Sequence, residues 1–389
     1  MMTFEELGVS KALTAVLNKR NITAPTPIQQ RAYQPVTKGT DVIGCSSTGS
    51  GKTLAYLLPV IATMQPDSKY IQTLILVPTQ ELAVQVCNEA ELLFKGAQLP
   101  YKALFLIGEG NINRQIESLK TKPALVVGTP ARILQLIRQK KLRVHDVKTL
   151  VIDEADKLMD KTYCEQIFAI RKSLMKYTQV LMFSASIDKK TRQIANQITY
   201  HAVVLDTKQK NESLIPKTIK HIFIVTDRRE RIETLRKIAK ALNSDKVMVF
   251  INTRYDLEES YQKLQYHHYN VAALSGNQDK QEKKTAIEHF KSGKVQYLLA
   301  TDVAARGLQI DNVETVINVN LPEESKEYLH RAGRCGRNGQ EGLCVSIITE
   351  NELNKIKKYQ KEFKINVVQE RSYNIIYNCR QYLCNISLR

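Results

Sequence analysis

Thr149 to Asp156 reads T-L-V-I-D-E-A-D. An apolar run, Leu150-Val151-Ile152, ends in two adjacent carboxylates, Asp153 and Glu154. That is the profile of a strand buried on both faces, whose carboxyl end is where open α/β sheets place ligands. Buried carboxylates need a counter-charge, which a metal ion or a phosphate-bound lysine supplies. Alone, the stretch reads equally well as a strand running into an acidic helix N-terminus, a position that favours Asp and Glu. A phosphate-binding loop elsewhere in the chain decides between the two.

Such a loop is present. Asp41 to Cys45 reads as a short strand and runs into S-S-T-G-S-G-K-T-L (46–54), with a helix expected from Leu54 to Met64. Glycines let backbone N–H groups approach phosphate oxygens, and the helix N-terminus adds partial positive charge. Lys52 is placed to reach the β- and γ-phosphates and the Thr53 hydroxyl to ligate Mg²⁺. Asp153 then reads as the Mg²⁺ carboxylate, and Glu154 as the base or orienter of the attacking water. Charge developing on the γ-phosphate needs further cations. H-R-A-G-R-C-G-R (330–337) offers His330 with three arginines at a spacing of three. Interleaved glycines are poor helix material, so this segment is expected to be a loop around an anion.

The whole chain alternates in the same way. Strands are expected at Thr73–Val77, Ala103–Ile107, Ala124–Gly128, Leu150–Asp153, Gln179–Phe183 and Ala202–Leu205, with helices between them. A single amphipathic helix is expected over Phe4–Lys19. T-K-Q-K-N-E-S-L-I-P (207–216) lacks periodicity and ends in proline, which marks a linker. The alternation restarts with strands at 219–225, 247–251, 271–274, 295–301, 313–319 and 343–348. The expected fold is therefore α/β, with two mainly parallel sheets flanked by helices. The expected boundaries are residues 1–206, the linker 207–216, residues 217–365, and a tail over 366–389.

Composition narrows the class. The chain has 389 residues, 43% hydrophobic and 25% charged, which is globular and large enough for two domains. No run of 18 apolar residues occurs, and M-M-T-F-E-E-L-G-V-S is acidic where a signal peptide is basic, so a cytoplasmic protein is expected, with no membrane partner. The seven cysteines form no C-x-x-C pair, which suits free thiols in a reducing compartment. A net charge of +18 favours a polyanionic partner, most simply nucleic acid.

Together these residues resemble the DEAD-box RNA helicases of superfamily 2, over roughly Phe4 to Lys364 and in the family's motif order. P-T-P-I-Q (25–29) is similar to the adenine-reading Q motif, with Gln29 as the adenine ligand, Phe4 as the upstream aromatic and Ile22 at the base-stacking position. S-x-T-G-x-G-K-T (46–53) resembles motif I, so Thr48, Gly49, Ser50, Gly51, Lys52 and Thr53 are implied to hold ATP. D-E-A-D (153–156) matches motif II and S-A-S (184–186) resembles motif III. V-F-I-N-T (249–253) resembles motif IV and T-D-V-A-A-R-G-L (301–308) motif V, and 330–337 matches motif VI. The resemblance implies two tandem RecA-like domains, Arg334 and Arg337 as arginine fingers, and Asp156, Ser184, Ser186, Asp302 and His330 as coupling residues. It implies RNA contacts at Pro78, Thr79, Gly108, Thr129, Arg132 and Thr301.

The departures cluster on the RNA side. Gln80 stands for the arginine of P-T-R-E-L-A, Glu109 for the second glycine of a doublet, and Ala131 for the glycine of T-P-G-R. Lys280 and Lys283 replace the Q-x-x-R pair; on the ATP side, Gln309 replaces the aspartate of R-G-x-D, and Val319-Asn320 stands for the Tyr-Asp that usually precedes the L-P of motif Va. A carboxylate facing RNA phosphates repels them, so weaker single-strand binding by the first half is expected. The implied activity is RNA-stimulated ATP hydrolysis with local remodelling of short duplexes by a monomer. The compact length resembles stand-alone bacterial members serving ribosome assembly or cold-stress RNA handling. The alternatives are an ATP-gated RNA clamp that unwinds little, and a DNA translocase of the same superfamily.

Overall fold

The computed structural model describes residues 2–46, 49–187, 189–206, 215, 218–242, 244–275, 278–305, 310, 313–336 and 340–370. Thr48, Arg337 and Gln309, most of the expected linker 207–216 and the tail from 371 onward lie outside them. The chain divides into two compact units, Met1–Gln209 and Lys210–Arg389.

The first unit is built on seven strands: β1 (Val42–Cys45), β2 (Thr73–Leu76), β3 (Ala103–Leu106), β4 (Leu125–Gly128), β5 (Thr149–Asp153), β6 (Gln179–Ser184) and β7 (Val203–Asp206). They pair in the order β3-β4-β2-β5-β6-β1-β7, every pair parallel. Both faces are covered. In β5, Val151 packs into one core while Leu150 and Ile152 pack into the other, which is why the run is apolar without alternation. Because all strands are parallel, every carboxyl end lies on one edge of the sheet.

The second unit repeats the plan with β8 (Ile219–Val225), β9 (Val247–Phe250), β10 (Val271–Leu274), β11 (Tyr297–Ala300), β12 (Thr315–Asn318), β13 (Gly342–Ile348) and β14 (Val367–Glu370). Their order is β10-β11-β9-β12-β13-β8-β14, again all parallel. Met248 and Phe250 of β9 enter one core, and Val247 and Val249 the other. Among the described residues, no helix is long and apolar enough to cross a membrane.

Three expectations are corrected. The helix expected over Phe4–Lys19 is two helices, Phe4–Leu7 and Lys11–Asn18. Gly8 breaks it at φ 104°, a conformation open to glycine, and the Tyr33 hydroxyl donates to its carbonyl at 2.6 Å. The arginine-rich segment is not all loop: His330 and Arg331 form the last turn of the helix Ser325–Ala332, with Gly333 as its cap. A glycine placed after the last turn ends a helix rather than preventing it. Finally, the region expected to be tail from 366 begins with a strand, β14, which pairs with β8 in register Val367↔His221 to Glu370↔Ile224. Four residues with one buried valine are too short for a periodicity signal.

Val367 is 5% exposed and packs beside Tyr359 and Phe363. Ending the chain at Asn366 rather than Glu370 therefore removes about 2 kcal/mol of apolar burial. The expected result is a melting temperature about 4–8 °C lower by calorimetry. Equal melting temperatures would show that β14 adds nothing.

Candidate functional site

The strand order sorts the motifs along one edge of the first unit. Ser46–Thr53, Asp153–Asp156 and Ser184–Ser186 follow β1, β5 and β6, which are neighbours. Pro78–Gln80, Gly108–Gly110 and Thr129–Arg132 follow β2, β3 and β4, which are neighbours on the other side. The two groups meet where β2 pairs with β5.

On the first side, Gly51 (φ 83°) turns the chain into the helix Lys52–Thr63. A Cβ on Gly51 would lie 2.3 Å from Gln29 Nε2, so the loop requires glycine twice over. Each end of the Gln29 carboxamide makes one hydrogen bond within the protein, which leaves a second N–H and a second lone pair: its oxygen accepts from the Thr26 N–H at 2.9 Å and its nitrogen donates to the Gly51 carbonyl at 3.0 Å. It thereby ties the Q-motif helix to the glycine loop. Ser46 is buried and its hydroxyl donates to Ser50 Oγ at 2.7 Å, so the serine in place of glycine has a use. Lys52 Nζ donates to the Ser46 carbonyl at 2.9 Å. Burial holds its pKa below the usual lysine value, against the pull of Asp153 and Glu154.

Asp153 is only 4% exposed. Burial, reinforced by Glu154, pushes its carboxyl up to about 6, while Lys52 pulls it down. Its Oδ1 accepts from the Glu154 N–H at 2.8 Å and its Oδ2 from the Tyr56 hydroxyl at 2.9 Å. Glu154 stands at φ 49°, an uncommon conformation for a non-glycine residue and one concentrated at functional sites. Its carboxylate pairs with Lys157 Nζ at 2.8 Å. Asp156 is bound to the S-A-S segment, with the Ser184 hydroxyl donating to its Oδ1 at 2.6 Å. The Asp156 and Ser186 N–H groups in turn donate to Ser184 Oγ, each at 3.2 Å.

Hard oxygen donors, the Asp153 carboxylate and the Thr53 hydroxyl, suit Mg²⁺, which takes few protein ligands and keeps water and phosphate for the rest. No group of three His, Cys, Asp or Glu that could cage a metal occurs among the described residues. Phe4 is 1% exposed and belongs to the same core as Ile28 and Tyr33. Ile22 is half-buried and packs against that same core.

On the second side, Thr79 caps the helix Gln80–Gly96, its Oγ1 accepting from the Leu82 N–H at 3.2 Å. Thr129 stands at the N-cap of the helix Pro130–Arg138, and Pro78 and Thr129 are half-buried. Arg132 is buried, and its guanidinium donates to the Gly108 and Gly110 carbonyls. It thereby holds the 108–110 turn in place. Gly108, Glu109 and Ala131 are exposed, and Gln80 Nε2 lies 4.0 Å from where a Cβ on Gly108 would be. The three departures named above therefore share one rim.

In the second unit, Arg331 is 1% exposed and gathers four motifs. Its Nε donates to Asp302 at 2.7 Å, and its two terminal nitrogens to the Asn320 carbonyl and Asn252 Oδ1, each at 2.7 Å. The guanidinium also stacks 5.1 Å from the Phe250 ring centroid. Asp302 thus serves Arg331, while His330 and Arg334 are half-buried on either side of it. Thr301 Oγ1 accepts from the Ala304 N–H at 3.3 Å and starts the short helix Asp302–Ala305.

A family model described as DEAD/DEAH box helicase matches residues 26–194, and one described as helicase conserved C-terminal domain matches 230–339. The chain is 37% identical to the probable ATP-dependent RNA helicase YfmL of Bacillus subtilis over 90% of its own length and 92% of the relative's. The chain belongs to the DEAD-box ATP-dependent RNA helicases. It is also 37% identical to the DEAD-box ATP-dependent RNA helicase CshC of Bacillus cereus, covering 90% of this chain and 88% of that one. The structure of S. cerevisiae Dbp5 bound to RNA and ADP BeF3 superposes with a TM-score of 0.88 at 27% identity, covering 98% of this helicase and 100% of that chain.

Three residues of this helicase escaped the sequence reading: Tyr56, Lys157 and Arg331. Tyr56 occupies an apolar helix and reads as core; its hydroxyl acquires a purpose only from Asp153, far away in sequence. Arg331 lay inside a quoted motif, but its burial depends on Asp302 and Asn252. Lys157 signals itself weakly, three residues after Glu154 on a helix.

Tyr56→Phe keeps the ring and deletes the donor to Asp153. A hydrogen bond to a charged group is worth about 1.5–3 kcal/mol. The Mg·ATP concentration for half-maximal ATPase should therefore rise about tenfold or more. RNA affinity, measured by fluorescence anisotropy, should not move.

Proposed function

We propose that this helicase hydrolyses ATP at Lys52, Asp153 and Glu154 and uses the cycle to open short RNA duplexes locally. The observation that carries the reading is the convergence of a half-buried lysine, a buried carboxylate and a second carboxylate at one sheet edge, beside a glycine loop. Backbone N–H groups of Gly49 to Thr53 and Lys52 bind the phosphates, and Gln29 reads the adenine. Asp153 and Thr53 would hold Mg²⁺, which supplies positive charge for the phosphates when bound. Glu154 orients the attacking water and receives its proton. Arg334, with Arg337, neutralises charge developing on the transferred phosphoryl group.

RNA is bound through backbone and 2′-hydroxyl contacts along 78–79, 108, 129–132 and Thr301, without base-edge reading. Ser184, bonded to Asp156, couples the S-A-S segment to the acids of the nucleotide side, and Asp302, held by Arg331, is the corresponding coupling residue of the second unit. The protein acts as a cytoplasmic monomer on structured RNA, ribosomal precursor particles among its substrates by analogy.

The test is ATPase turnover with and without single-stranded RNA on wild type and Glu154→Gln. RNA should raise wild-type turnover several-fold, and the variant should lose about 10²–10⁴-fold of it, the range for a general base. DNA of the same sequence should not stimulate. Turnover indifferent to RNA would remove the helicase reading.

The exposed Glu109, beside Gly108 and Ala131, favours a second reading: a clamp that hydrolyses ATP but displaces strands poorly. Strand displacement on a short duplex, measured beside ATPase, separates the two. Under this reading Glu109→Gly tightens single-stranded RNA binding and steepens its salt dependence. An unchanged slope would remove Glu109 from the RNA interface.

A further inference from the structure

The opposite edge of the first sheet, where the strands begin, is also organised. A chain of backbone hydrogen bonds crosses it. Ala124 N–H donates to the Lys102 carbonyl at 3.0 Å, Gln72 to Ala124 at 2.8 Å, Lys148 to Gln72 at 2.8 Å and Gln179 to Lys148 at 2.9 Å. The segments leading into β3, β4, β2, β5 and β6 are thereby one continuous rim. Residues 140–148 alone bring Lys140, Lys141, Arg143 and Lys148, all exposed, against the acid Asp146, which pairs with His145. Lys102, Lys122 and Lys176 extend the positive rim to either side.

Exposed tyrosines are set among these cations. Tyr70 is 51% exposed and Tyr177 63%. Tyr70 lies against His145, ring centroids 6.2 Å apart, and Lys148 Nζ lies 5.2 Å from the Tyr177 centroid. Helix dipoles explain basic residues in the last helical turn, such as Arg138. They do not explain a basic loop from 140 to 148 with tyrosine rings set against its histidine and lysine.

A groove joins this rim to the motif edge. It has a volume of about 500 Å³ and runs between the helices Pro130–Arg138 and Lys161–Ser173. Ala131 lines its upper end and Arg138 and Gln139 its lower end, with Glu165 as an acid on its wall. The nine residues of Pro130–Arg138 make its length about 13 Å. Gln166, also on the wall, has a buried Oε1 without a hydrogen-bond partner.

We propose that RNA leaving the motif edge at 129–132 follows this groove to the basic tyrosine-bearing rim, which forms a second, sequence-independent single-strand site. Phosphates meet Lys140, Lys141 and Arg143, and bases stack on Tyr177 and Tyr70. The rim supplies the attraction that Gln80, Glu109 and Ala131 withhold above. This inference builds on the helicase reading but concerns a surface that hydrolysis does not use.

The experiment compares a short oligouridylate that fills only the motif edge with one several-fold longer, in anisotropy titrations over a range of salt. The triple variant Lys140→Ala, Lys141→Ala, Arg143→Ala should bind the short strand like wild type. For the long strand its affinity should fall and its salt slope should flatten by about two, three phosphate contacts being lost. Tyr177→Ala should weaken the long strand about tenfold without changing the slope, because stacking releases no counterions. As a charge control, Lys357→Ala, Lys358→Ala, Lys361→Ala removes three exposed cations from the second unit.

Equal losses in both triple variants would overturn the proposal in favour of net charge alone, as would a rim variant that keeps its preference for the long strand. ATPase without RNA should be identical in all variants. Wild type that fails to respond to any RNA would sink the helicase reading itself, a result separable from failure of the rim.

Discussion

A carboxylate that must stay ionised in a nearly dry place is the constraint on which the nucleotide side depends. Asp153 ends a strand with both faces buried and is itself 4% exposed, so water does little for its charge. Tyr56 and the Glu154 N–H hold its two oxygens, and Lys52 supplies the opposite charge. Each of these is fixed by something else: Tyr56 and Lys52 by the helix begun at Gly51, and Glu154 by the left-handed turn that starts the next helix. Gly51 is in turn locked by Gln29. The nucleotide residues thus position one another.

The second unit solves a comparable problem with the opposite sign. Arg331 is the largest fully buried side chain among the described residues, and an unpaired guanidinium there would cost several kcal/mol. Asp302, Asn252, Asn318 and the Asn320 carbonyl surround it. These partners belong to separate motifs, and this explains physically why the motifs occur together: they are the coordination shell of one cation. Val319-Asn320, a departure from the family pattern, leaves the shell intact because it is the Asn320 backbone that serves Arg331.

Much of this was legible in the sequence, for reasons that differ by element. Strands buried on both faces announce themselves as apolar runs, and Leu150-Val151-Ile152 is one; the glycine loop announces itself through residues that no other geometry needs. What could not be read depended on distant partners or very short pieces. Gly8 splits one amphipathic stretch into two helices, and its meaning rests on Tyr33. β14 is recognisable only against β8. Arg132 also braces the carbonyls of Gly108 and Gly110, a tie that its own motif does not spell. Tyr56 hides in an apolar helix until Asp153 is placed over it.

The pairing of β2 with β5 has a consequence for how the two ligands sense each other. Pro78–Gln80 leaves the end of one of these strands and Asp153–Asp156 the end of the other, so only one interstrand spacing, about 4.8 Å, separates the two halves of the edge. No long relay of side chains is needed between them. Exchange β5 and β6 in the order, keeping every motif letter intact, and another strand would stand between the acids and Pro78–Gln80. Neighbourhood within the sheet, which no motif spells, is a heritable property of this fold as much as the motifs are.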